Sequence, residues 1–251
     1  MSRNGICIGI VSGKGGVGKT SLTAALGAAL ARLGRRALCV DCDASLRNLD
    51  LVMGMTEQSL MDFTDVAAGR CTLEEAVSEH PRQTGLFLLN APAFGGDSLM
   101  QPQMRALADH IRRHFDFCLL DAPAGLGPAF DLVTAAANRI LVVTQTDPLS
   151  VRDAQRVVME LSDFPSGDAS LIVNRVKPFS LRPPELTVDD VMDQVGLPLM
   201  GLVSDDAAFP QALRRGLPVT LSAPNATASR DCVRIARRLL GDSVKLPFFY
   251  R

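Results

Sequence analysis

The sequence has no tryptophan and a single tyrosine. A protein that grips single strands by stacking bases on aromatic rings is therefore not expected. Charge of one sign is also missing. Lys and Arg number 26 against 27 Asp and Glu, a formal net charge of −1. No global field draws the chain to nucleic acid or to an anionic membrane, so any such contact has to be local. Long hydrophobic runs are absent too: no segment approaches the roughly 20 continuous apolar residues of a membrane-spanning helix. The apolar stretch Ile6–Val11 is too short for the core of a signal peptide. A cytoplasmic protein is expected. The six cysteines (Cys7, Cys39, Cys42, Cys71, Cys118, Cys232) are scattered. Cys39 and Cys42 make one C-x-x-C, but no second pair or nearby histidine completes a tetrahedral site, and reduced structural thiols are the preferred reading.

What is present is an ordinary globular composition. Of the 251 residues, 47% are apolar and 21% charged, enough to build a sizeable core. Short apolar runs alternate with amphipathic stretches throughout. Strands are expected over Ile6–Val11, Ala37–Val40, Leu86–Leu89, Phe115–Leu120, Ile140–Thr144, Leu171–Val173 and Leu199–Val203. Helices are expected over Ser21–Leu33, Ser59–Ala68, Met100–His114, Ala129–Ala137, Val151–Leu161, Thr187–Val195, Phe209–Arg215 and Ala228–Leu240. Mostly apolar strands separated by helices predict an α/β fold, a mostly parallel twisted sheet with helices on both faces. There is no repeat or low-complexity tract, and the Pro-containing stretches Phe164–Gly167 and Lys177–Pro184 read as loops inside one domain. In open α/β sheets the chemistry lies at the carboxyl ends of the strands. Asp41, Asp121 and Asn174 fall at such ends.

Gly13-Lys14-Gly15-Gly16-Val17-Gly18-Lys19-Thr20 fits G-x-x-x-x-G-K-[ST], after an expected strand and before an expected helix. The chain thus reads as a single P-loop NTPase domain. Glycines let backbone N–H groups turn inward around phosphate oxygens, and the helix N-terminus adds its dipole. Lys19 is positioned for the β- and γ-phosphates and the Thr20 hydroxyl for Mg²⁺. The alternative is a Gly-rich strand-to-helix turn without a ligand. Lys14 is a second lysine in the loop, and it needs an anion from its own nucleotide or from one on a second subunit.

The run Ser12 to Ser21 resembles the deviant Walker A motif of the MinD/ParA class of P-loop ATPases. Val40 to Gly54 is similar to the switch I region of the MinD branch. Asp121-Ala122-Pro123-Ala124-Gly125 resembles its Walker B and switch II, and Asp147 to Asp153 a further segment. The resemblance runs from Ile6 to about Leu240. It implies that ATP and ADP bind at Gly13 through Ser21 with Mg²⁺, and that Lys14 reaches across an ATP-bound homodimer to the partner's nucleotide. It further implies that Asp43 positions the attacking water, that Asp121 holds Mg²⁺ with Asp41 able to join, that Gly125 approaches the γ-phosphate, and that Asn174 contacts adenine. For Asp43 a turn or capping role is the alternative, and for Asn174 a strand-end turn. The implied function is a slow ATPase that dimerises with ATP and recruits a regulatory or cargo protein, in division-site placement. Placement of a flagellum or another machine and DNA partition are the alternatives. Balanced charge speaks against nucleic acid.

The chain departs from the MinD pattern at Ala44-Ser45 in switch I and at Leu126-Gly127 in switch II. It departs most at its end. The family's basic amphipathic membrane helix is replaced by residues 242–251, which contain Pro247, three aromatic residues (Phe248, Phe249, Tyr250) and only Lys245 and Arg251 as basic groups. Proline forbids a continuous helix there, so lipid binding is expected to be weak or absent. A peripheral position at the inner membrane is the family alternative. Ala228–Leu240 is either a basic interfacial helix or, preferred, the last packing helix of the domain.

Overall fold

The computed structural model describes residues 5–56, 61–92, 99–164, 168–177 and 186–246. In chain order the elements begin with β1 (Ile6–Val11), α1 (Lys19–Arg32), β2 (Ala37–Asp41), α2 (Leu49–Met53), α3 (Phe63–Ala67), α4 (Leu73–Ala76), β3 (Ser78–Glu79) and β4 (Leu86–Leu89). The middle of the chain forms α5 (Gln101–Ile111), β5 (Phe117–Asp121), α6 (Pro128–Ala136), β6 (Arg139–Thr144), α7 (Pro148–Glu160) and β7 (Ala169–Val176). It closes with α8 (Val188–Val195), β8 (Leu199–Ser204), α9 (Ala208–Arg214), α10 (Val219–Ser222) and α11 (Thr227–Leu239).

The strands join one sheet in the order β3-β4-β2-β5-β1-β6-β7-β8. Every neighbouring pair is parallel except β3, which runs antiparallel to β4 at the edge. The expected fold class is borne out. The central strands read as continuous apolar runs because both faces are covered, so alternate residues enter different half-cores. Cys7 and Val11 face one side, with Cys42, Cys118, α5, α6, α7 and α8. Ile8 and Ile10 face the other, with Cys39, Cys232, α1 and α11. Helix α1 is almost wholly buried and built from small residues. Gly27 lies against Cys39 Sγ, where a Cβ would collide. The helix therefore sits close to the sheet, which fixes the loop that precedes it.

Four elements escape the sequence reading: α2, α4, α10 and β3, each of two to five residues. None is long enough to show a period. β7 continues past Val173 to Val176, with a register shift against β8 and a left-handed Arg175 at φ 54°. Asn174 therefore lies within an irregular part of the strand and not beyond its end. Helix α3 starts after its cap Asp62, and Ser59 and Leu60 of the expected helix lie outside the described residues. The same holds for 165–167 and 178–184 of the two expected loops and for 247–251 of the tail. Helix α11 buries Cys232, Ile235, Ala236 and Leu239 against α1 and β8. Its arginines are engaged at the surface: Arg234 with Asp231 at 2.7 Å, Arg237 with Asp242 at 2.8 Å, and Arg238 donating to the Met200 carbonyl at 2.9 Å. It is a packing helix. Among the described residues no helix is long and apolar enough to cross a membrane.

Candidate functional site: a phosphate loop above paired carboxylates

The loop from Ser12 to Gly18 leaves the end of β1 and turns into α1. Gly16 (φ 78°) and Gly18 (φ 98°) adopt the left-handed region that only glycine enters at little cost. Gly18 caps α1 without a side-chain hydrogen bond, leaving the first-turn N–H groups for an anion. Lys19 is buried, and its Nζ donates to Ser12 Oγ at 2.8 Å. Ser12 Oγ donates in turn to the Lys14 carbonyl at 2.9 Å. Burial holds the Lys19 ammonium below its ordinary range, against the pull of Asp121 and Asp43.

Beneath the loop, Asp41 and Asp121 are cross-strand partners at the ends of β2 and β5, both about 1% exposed. Burial pushes the Asp121 carboxyl up to about 7, and the neighbouring Asp41 adds to this. The Thr20 hydroxyl, Lys19 and the Thr23 hydroxyl (3.0 Å from Oδ1) oppose it. Burial likewise raises Asp41 to about 6, while the N–H groups of Leu49 (3.0 Å) and Asp43 (2.9 Å) favour its charge. Two buried carboxylates with a threonine hydroxyl alongside form a hard oxygen donor set of the kind Mg²⁺ takes. Thr20, Asp41 and Asp121, expected as metal-site residues, are brought together here.

Asp43 is half-buried. Its Oδ1 accepts from the N–H groups of Ser45 (3.1 Å) and Leu46 (3.2 Å), so the turn role is present whatever else the carboxylate does. Gly125, at φ 85°, donates from its N–H to the Ser12 carbonyl at 3.0 Å, tying the loop after β5 to the phosphate loop. Asn174 Nδ2 donates to the Val17 carbonyl at 2.7 Å, while its Oδ1 is buried without a partner. A Cβ on Gly18 would stand 2.5 Å from that Nδ2. Asn174 lines a cavity of about 550 Å³ with Gly18, Ser21, Arg175, Asp206 and Phe209. The sequence reading missed the β8–α9 side of this cavity. Ser204-Asp205-Asp206 closes the last strand, and the strand-end rule that singled out Asp41 applies to it equally.

Lys14 is turned toward its own chain. Its Nζ lies 3.5 Å from Asp147 Oδ1, both side chains about 40% exposed (41% and 39%). Asp147 also caps α7, accepting from the Ser150 N–H at 3.0 Å. Burial works against its ionisation, yet Ser150 and Lys14 outweigh burial and hold the carboxyl below its usual range. Gly13 abuts the Asp153 carbonyl, so the loop leans directly on α7.

The model of the CobQ/CobB/MinD/ParA nucleotide binding domain matches residues 8–219. The septum site-determining protein MinD of Synechocystis is 36% identical over 237 residues, which cover 94% of this chain and 89% of that protein. This chain belongs to the MinD family. Its structure superposes on MinD in the MinC:MinD cell division protein complex of Aquifex aeolicus with a TM-score of 0.86, at 32% identity, covering 97% of this chain and 99% of that one. The MinD of Pyrococcus horikoshii, solved with Mg-ADP, gives a TM-score of 0.81 at 26% identity, covering 95% and 99% of the two chains. The resemblance read from the motifs is borne out. Within this MinD-family chain the departures lie at the surface: Ala44 and Ser45 are exposed, and Leu126 is 44% exposed. Cys39 and Cys42 enter opposite half-cores, so the C-x-x-C does not converge on one side of the sheet.

Proposed function

We propose that the chain is a MinD-type ATPase of division-site placement, a switch that dimerises with Mg-ATP, recruits a protein partner and resets by hydrolysing ATP to ADP and phosphate. The observation that carries the nucleotide reading is the combination of a loop held in left-handed backbone by Gly16 and Gly18, the buried Lys19 that follows it, and a partnerless Asn174 Oδ1 in a cavity that Gly18 and Ser21 also line. The names of the relatives, and the Mg-ADP and MinC found with two of them, support the rest.

Gly13, Gly15, Gly16, Val17, Gly18, Thr20 and Ser21 surround the phosphates with backbone N–H groups and hydroxyls. Lys19 neutralises charge on the transferring phosphoryl group. Asn174 Oδ1 accepts from an exocyclic amine of adenine, and Gly125 brings the loop after β5 toward the γ-phosphate. Mg²⁺, held by Thr20 and Asp121 with Asp41 alongside, supplies Lewis-acid charge on the phosphate oxygens when bound. Asp43 orients the attacking water. Lys14 leaves Asp147 and reaches the partner's nucleotide, so that full charge stabilisation exists only in the dimer. Residues 1–251 act as a single domain, with 242–251 a short tail. Two basic residues there, partly offset by Asp242, supply little attraction to lipid. The chain is placed in the cytoplasm, its address set by the partner, with peripheral membrane contact weak; nucleic acid is not a partner.

The test is sedimentation of the Asp43→Ala variant with ATP and with ADP, with and without anionic liposomes. An ATP-specific dimer that stays largely in the supernatant is expected. A monomer with ATP would overturn the switch. Robust ATP-dependent pelleting with liposomes would overturn the reading of the tail.

A further inference from the structure

The last turn of α5 tightens beyond Ile111, with Arg113 and His114 donating back to the His110 and Ile111 carbonyls (3.2 and 2.9 Å). This stacks the side chains of His110-Ile111-Arg112-Arg113-His114 so that the two imidazoles meet four residues apart. Their ring centroids are 4.8 Å apart at an interplanar angle of 47°. His114 Nδ1 lies 3.0 Å from the His110 carbonyl, so Nδ1 carries the proton in the neutral ring and Nε2 keeps a lone pair. That lone pair faces Glu74 Oε1 of α4 at 3.7 Å. A lone pair and a carboxylate repel unless a proton or another cation lies between them. Among the described residues His110 Nδ1 meets only the exposed Arg113 guanidinium, at 3.5 Å, a contact at the limit of a hydrogen bond.

We propose that His110 and His114 bind one divalent transition ion of the zinc class, with Glu74 as a carboxylate that closes on it and water completing the shell. With metal–nitrogen bonds of about 2.1 Å, each ring centroid sits roughly 3.2 Å from the ion. Bond angles of about 90–110° then set the centroids roughly 4.6–5.3 Å apart, which brackets the observed spacing. Among the described residues no three ligating side chains already converge, so the exposed Glu74 closes by a change of rotamer. The His114 Nδ1–carbonyl bond is the outer contact that fixes tautomer and ring orientation in such sites. The bound ion would pin the end of α5 to α4, on the half-core face opposite α1.

The test titrates Zn²⁺ into the full chain loaded with Mg-ADP, and follows Cu²⁺ by electron paramagnetic resonance. One Zn²⁺ is expected to bind, with nitrogen couplings from two imidazoles in the Cu²⁺ spectrum. Affinity should weaken roughly tenfold or more in His110→Ala and in His114→Ala, weaken less in Glu74→Gln, and fall as pH is lowered, because protons compete with the ion for ligating nitrogens. Both histidines are at the surface, and an unchanged melting temperature of the double variant in chelator verifies folding. Zn²⁺ binding that survives in the His110→Ala/His114→Ala double variant overturns the proposal. So does the absence of binding to the parent protein or a Cu²⁺ spectrum without nitrogen coupling.

Discussion

Replacing Asn174 with alanine removes two things at once. The Val17 carbonyl, in a residue only 2% exposed, loses its 2.7 Å donor, and the cavity loses a buried acceptor that has no other partner. A buried polar group left unpaired costs about 1–3 kcal/mol. At about 1.4 kcal/mol per factor of ten, Mg-ADP affinity should fall about 5- to 150-fold. Calorimetry with two ligands separates the contributions. Pyrophosphate has no base, so its loss reports the loosened loop alone, and the excess loss for ADP reports the base contact. The parent should prefer ADP to GDP, because guanine presents an acceptor where adenine presents an amine, and the variant should lose that preference. Asn174→Asp should be worse than alanine for both ligands, since a carboxylate would face the Val17 carbonyl. Equal losses for ADP and pyrophosphate, with the preference over GDP intact, would refute base recognition and leave Asn174 as a brace for the loop.

Lys19→Ala should abolish Mg-ADP binding in calorimetry. It should also lower the melting temperature without nucleotide, because the buried Asp121 loses the Lys19 charge that favours its ionised form. Lys14→Ala should bind Mg-ADP normally and lose ATP hydrolysis; turnover at the parent rate would refute action across the dimer. Asp147→Asn frees Lys14 from an exposed ion pair worth about 0.2–1 kcal/mol. Two protomers each release one pair, so sedimentation velocity should show ATP-driven dimerisation at about 2- to 25-fold lower protein concentration. His80 is buried, with Nε2 3.1 Å from the Met53 carbonyl and Nδ1 accepting from the Arg82 N–H at 3.1 Å. Burial holds its imidazole below the ordinary 6.5, only partly opposed by the Met53 carbonyl. The unfolded chain then takes up the proton first as pH falls. Urea denaturation should show stability from this group complete above about pH 6.5 and lost below it, with a slope of at most about 1.4 kcal/mol per pH unit that His80→Gln flattens.

The parallel sheet and the phosphate loop were legible because both rest on strong local signals. Strands buried on both faces leave unbroken apolar runs, and Gly13–Thr20 is a contiguous motif. The implied alignment of Asp41, Asp121 and Thr20 follows from β2 and β5 lying side by side, which a strand-end rule anticipates without giving the distance. Three features were not legible. Helix α2 has five residues and no period of its own; it forms because the Leu49 N–H is captured by Asp41 across the switch. The irregular end of β7 depends on a left-handed Arg175, a residue with no intrinsic preference for that conformation. The Lys14–Asp147 pair joins positions separated by five strands and six helices among the described residues, and nothing local to either residue marks it.

The division of the interior by the sheet gives the molecule two internal clocks. Cys7, Cys42 and Cys118 are sealed on one face and Cys39 and Cys232 on the other, all free thiols. Burial raises the thiol pKa of Cys39, Cys42 and Cys232, and a hydrogen bond with Cys7, together with burial, raises that of Cys118, so none of these offers a thiolate while the fold is closed. A thiol reagent can therefore mark each of them only during an opening event. Cys39 and Cys232 time the parting of α1 and α11 from the sheet, whereas Cys118 and Cys42 time the lifting of the α5–α6 layer. Nucleotide grips the N-terminus of α1, so it should slow the first clock more than the second. Local opening of the two faces can thus be timed separately in the unmodified chain.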